Sequence, residues 1–99
     1  VKWPVKVSVP QDGGDVREYI FTGHFLILTE KEAEARKDQD DRKYIEKILI
    51  GWGPDLVDEK QEPIKFSAKV RDGLANMTNV KLAIIYAYAD LIRGVKAKN

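Results

Sequence analysis

Cysteine is absent from this chain, which excludes a disulfide framework, a thiol nucleophile and a thiolate metal site. A single histidine, His24, is present. Alone it names no partners for a metal site or a catalytic triad, and it reads as an exposed or hydrogen-bonded strand residue. No apolar run approaches the ~18 residues that a membrane helix requires. The opening Val1-Lys2-Trp3-Pro4 lacks the apolar core of a secretory leader. Charge of one sign is lacking too. Seventeen Lys and Arg against 16 Asp and Glu leave a net charge of +1, which offers no global field for nucleic acid or an acidic membrane. Gly13-Gly14 and Gly51-x-Gly53 do not continue with the spacing of a P-loop or a dinucleotide fingerprint. Asp38-Gln39-Asp40-Asp41 fails as a calcium loop. Counting from Asp38, Lys43 stands where the sixth-position Gly belongs and Leu49 where the twelfth-position Glu belongs. That cluster reads as a solvated helix break.

What is present describes one globular domain. Ninety-nine residues, 43% hydrophobic and 33% charged, suffice for a single core. Trp3, Val5, Val7 and Val9 alternate with Lys2, Pro4, Lys6 and Ser8, the period of a half-buried strand. Pro4 lacks an N–H, which places this strand at a sheet edge or starts it just after Pro4. Gln11-Asp12-Gly13-Gly14-Asp15 predicts a tight reversal into a second strand over 16–28. That strand is apolar on both parities toward its end, which predicts cover on two sides.

Thr29-x-x-Glu32 has the form of a capping box. The run that follows predicts two short helices with a break near Asp40, or else one continuous helix; Asp38, Asp40 and Asp41 can cap the second, which presents Tyr44, Ile45, Ile48 and Leu49. Gly51 and Pro54 are expected to stop it, with Gly51 as a left-handed cap. A loop to Phe66 follows, with a two-stranded turn around Lys60-Gln61-Glu62. Ser67 caps a helix over 68–75, Asn79 caps the last helix over 80–93, and Gly94 closes it. The expected fold is α+β, an N-terminal antiparallel β-hairpin followed by about four short helices packed on it. It spans residues 1–94, with a flexible basic tail over 95–99.

The last helix carries more apolar surface than one contact uses. At ~100° per residue its apolar arc spans roughly 260°, against the ~100° stripe of a single core contact. Val80, Ile84, Ala87 and Leu91 form one line; Ile85, Tyr88, Ala89 and Ile92 form the next. The second line is covered either by the protein's own hairpin and helices or by a partner. Ile85, Tyr88 and Ile92 are thus candidate partner-binding residues. Trp52 is another, as an anchor for a partner's pocket. The simpler reading makes it a core plug fixing the 51–54 turn against Phe66.

A longer pattern adds to this. An apolar strand ends in Val7-x-Val9-Pro10 and leads into an Asp12-Gly13 turn. An aromatic strand with Phe21-Thr22 and Phe25 follows, then a charged helix from about Thr29-Glu30. Gly51-Trp52, Pro63-x-x-Phe66-Ser67 and a final helix rich in Ala and Tyr complete it. In this order the elements resemble a group of tail assembly chaperones of tailed bacteriophages. The chain departs from that group in having Lys60-Gln61-Glu62 where a Gly is expected, in Gly53-Pro54, and in Lys65.

The resemblance implies a non-enzymatic protein that binds the tape-measure and tail-tube proteins in the cytoplasm of the bacterial host. It implies no cofactor, no metal, no nucleic acid and no membrane among its ligands. Self-association into a homo-oligomer stays open. So does an alternative role as a small structural virion component, a head–tail adaptor or tail terminator.

Overall fold

The computed structural model describes residues 1–97. Strands β1 (Lys2–Pro10) and β2 (Val16–Phe25) form the antiparallel hairpin, in a register that sets Val5 opposite Phe21 and Val7 opposite Tyr19. Gly13 and Gly14 make the reversal at φ +88° and +91°, a region that costs other L-residues energy. A short third strand, β3 (Leu49–Trp52), pairs antiparallel with β2, so the sheet order is β1-β2-β3. The helices are α1 (Glu30–Glu34), α2 (Asp41–Ile48), α3 (Ala68–Ala75) and α4 (Thr78–Ala97), with a 3-10 turn, Ala35–Asp38, between the first two. The fold is α+β, as the periodicities predict, although α4 is a long helix of 20 residues.

Local signals account for most element ends. Thr29 and Glu32 form the expected capping box. Asp40 caps α2 by accepting from the Lys43 N–H, and Ser67 caps α3 by accepting from the Val70 N–H. Val57 bridges Pro63 around the turn at Gln61, where Asp58 accepts from the Lys60 and Glu62 N–H groups.

Four boundaries differ from the sequence reading. β2 stops at Phe25, and Leu26 and Ile27 are exposed rather than covered, while Leu28 is buried. Gly51 is not a left-handed cap: α2 ends at Ile48 and the chain passes directly into β3. A side chain at Gly51 would meet His24 across the ladder at 3.1 Å, so close strand approach explains this glycine. Asn79 lies inside α4 and donates its amide N–H to the Ser8 carbonyl of β1. α4 runs through Gly94 to Ala97. Of the expected basic tail, Lys98 and Asn99 lie outside the described residues.

The helices cover one face of the sheet. Val5, Val7, Phe21 and Phe25 point into a core with Ile45, Ile48, Leu49, Ile84, Tyr88 and Leu91. On the opposite face Lys2, Pro4, Lys6, Ser8, Glu18 and Ile20 are exposed. A sheet covered on one side in this way accounts for the alternation that made β1 legible.

Candidate functional site

In an antiparallel ladder, successive residues send their N–H and C=O groups to opposite sides. Phe25 faces β1: its N–H donates to the Val1 carbonyl, and its own carbonyl accepts from the Val1 ammonium. Thr22 faces the other way. Its N–H donates to Asp55 at 3.0 Å, and its carbonyl accepts from the Gly53 N–H at 2.9 Å. By the same alternation Glu18 and Ile20 point their backbone groups away from β1. β3 pairs with β2 only at residues 23–25. Among the described residues, no backbone group meets Glu18 or Ile20 on that side.

The two sheet edges differ in their defences. Along β1 the outward positions carry Lys2, Pro4, Lys6, Ser8 and Pro10, and the Asn79 amide takes the Ser8 carbonyl. Proline has no N–H to offer, and lysine keeps another strand away. The uncovered stretch of β2 contains no proline.

Beside this open edge lies an apolar groove of about 280 Å³. Its floor is the core face of the hairpin, with Val7, Val9, Tyr19 and Phe21. One wall is Leu56 and Val57 of the loop after β3; the other is Leu74, Met77 and Val80 at the α3–α4 junction. Tyr19 and Met77 are each 51% exposed, and Ile20 on the far side of the strand is 54% exposed. Together they leave both sides of the edge apolar and wet, an arrangement that monomers seldom keep without use.

Residues 52 and 63–66 brace the loop that carries the Leu56–Val57 wall from behind. The Trp52 indole N–H donates to the Ile64 carbonyl at 2.7 Å, and its ring meets Phe66 edge-on at 4.7 Å between centroids. Pro63 bridges Val57. Asp55 then clamps the loop to β2, one oxygen taking the Thr22 N–H and the other its hydroxyl. The Thr22 backbone N–H is the main cause that holds the Asp55 carboxyl below its ordinary value.

The other shifted groups serve the scaffold. Hydrogen bonding from Arg36 lowers Asp41, the Thr29 backbone N–H lowers Glu32, and burial raises Tyr44. Among the described residues no group of three His, Cys, Asp or Glu is placed to hold a metal ion, and no helix is long and apolar enough to cross a membrane.

The four candidate partner-binding residues do not come together as a surface. Trp52 is 7% exposed and is the core plug of the simpler reading. Tyr88 is 3% exposed; its hydroxyl accepts from the Leu28 N–H, and its ring packs against Phe25 and Tyr44. Ile85 and Ile92 are half-buried against the core. The expectation of an apolar partner surface on α4 is therefore corrected for Tyr88 and Trp52. The wide arc is occupied within the fold, because α4 packs on β1 and also on α2 and α3. What α4 leaves exposed is Leu82 and Tyr86 on its other flank.

Sequence reasoning missed Tyr19, Ile20, Leu56 and Met77. One signal was available, since Tyr19 and Ile20 are adjacent apolar residues of opposite parity in a strand. The groove itself joins four separate segments, and no local pattern encodes that meeting. No family model, curated protein or solved structure matches the chain.

Proposed function

We propose that this chain is a non-enzymatic assembly chaperone that shields apolar segments of other proteins during phage tail morphogenesis. The observation that carries the reading is the apolar groove beside the unpaired β2 edge. The motif order that resembles the tail assembly chaperones supplies the partners: the tape-measure and tail-tube proteins, met in the cytoplasm of the infected host. Trp52, Pro63, Phe66 and Ser67, which carry much of that resemblance, hold the groove wall and start α3.

The mechanism is reversible cover. A groove of this size holds a few side chains, so binding is weak enough to be displaced when tube polymerisation offers a larger contact. Co-expression with the tape-measure and tube proteins of the same genome tests the proposal. A soluble complex is expected, together with loss of tails when the chain is deleted. Normal tails without it would sink the reading. Its presence at fixed copy number in purified particles would replace the reading with a head–tail adaptor or terminator.

A further inference from the structure

We infer that the open edge of β2 takes an extended, basic-flanked apolar segment of another protein as an added strand, with alternate side chains in the groove. The inference rests on the assembly reading and specifies how the partner is held. Glu18 and Ile20 present an N–H and a carbonyl each, at strand spacing and without a partner among the described residues. An extended chain satisfies these groups, whereas a docked helix has already used its own.

Side chains on both sides of the edge fit the same occupant. Tyr19 and Met77 await apolar residues of one parity in the groove, and Ile20 and Val16 offer apolar contact to the other parity. On the opposite edge Pro4 and Pro10 offer no N–H and the Asn79 amide takes the Ser8 carbonyl, so that edge is the less receptive of the two.

Charge selects the partner. In the distal hairpin Asp12, Asp15 and Glu18 stand against Arg17, and in the groove-wall loop Asp55, Asp58, Glu59 and Glu62 stand against Lys60 and Lys65. This acidic end belongs to a chain of net charge +1, so the excess is local. It favours lysine- or arginine-flanked segments. A second copy fits poorly. It brings the same local acidic excess to the seam, and in the register that sets Val16 opposite Ile20 it sets Glu18 opposite Glu18, where like charges repel.

The probe is a fluorescent eight-residue peptide alternating valine with lysine, blocked at both ends, titrated into the full chain and read by anisotropy. Two further peptides carry backbone N-methyl groups, on the valines in one and on the lysines in the other. Binding is expected to fall about tenfold or more for one methylated peptide and to change little for the other, because an added strand uses N–H groups of one parity. Met77→Ser, at an exposed position, removes apolar contact without adding charge and is expected to weaken the unmodified peptide by about tenfold. Replacing the peptide's lysines with glutamates is expected to abolish binding.

Equal binding by both methylated peptides, or none by the parent, overturns strand addition. Concentration-dependent dimers that Met77→Ser dissolves would overturn the choice of a foreign partner. The assembly reading fails separately. Peptide binding as expected together with normal tails from a deletion strain leaves the docking mode standing and removes the phage role. Tails that require the chain, with methylated peptides binding equally, do the reverse.

Discussion

Asp55 ties the groove wall to β2 through both oxygens, and this makes the wall sensitive to acid. Its carboxyl is lowered in the folded chain, mainly by the Thr22 N–H. A carboxyl lowered by folding stabilises fully above its unfolded value of ~3.9, and that contribution is lost as pH falls through the lower folded value. Asp55→Asn is therefore expected to be less stable than the parent at neutral pH. Urea midpoints of the two proteins should converge as pH falls through the lowered folded value. A constant gap across pH would mean that the carboxylate charge is not what the clamp uses. Gln61 is the second residue of interest, the one non-glycine at positive φ among the described residues, at 64°. Gln61→Gly relieves that conformation at some entropic cost and should stabilise the chain by up to ~1 kcal/mol in denaturant unfolding.

At the scale of the element, α4 separates core from surface along adjacent lines. Ile84 is fully buried and Tyr86 is 62% exposed, two residues further along. Ile84→Ala leaves a cavity between α4 and the hairpin and is expected to cost ~2–5 kcal/mol. Tyr86→Ser should stay within ~0.5 kcal/mol. Comparable losses from both substitutions would show that α4 packs differently. Ser67→Ala removes the cap of α3 and should cost ~1 kcal/mol by the same measurement. These ends and faces were legible in the residues: Thr29, Asp40 and Ser67 as caps, Val80, Ile84, Ala87 and Leu91 as a core line. β3 was not legible. Leu49 continues the apolar face of α2, so the periodicity reads as more helix, and only pairing with β2 turns residues 49–52 into a strand. Tyr88 was misread for a related reason. It stands on the second apolar line of α4, and only the fold decides that Phe25, Tyr44 and the Leu28 N–H, 60 residues away, cover it rather than a partner.

For the molecule as a whole, one sheet face is sealed by helices and the other is open, and the open edge lies where the short β3 runs out. The exposed apolar residues Val16, Tyr19, Ile20 and Met77 gather at that end. Met77→Ser should therefore reduce co-purification with partner proteins while leaving the unfolding midpoint close to the parent's, because the residue is half exposed. A partner loss matched by a collapse in stability would place Met77 in the scaffold instead.

The residues by themselves determined the class of fold, the hairpin with its Gly13-Gly14 turn, the breaks between helices and the buried line of α4. Each of these depends on neighbours within a few positions, where propensity, capping and period act directly. The tertiary structure alone decided which apolar surplus stays uncovered. That outcome depends on β3 ending at Trp52 and on a loop clamped by Asp55 across 33 residues. Burial is a property of the assembled neighbours, and no single segment carries it.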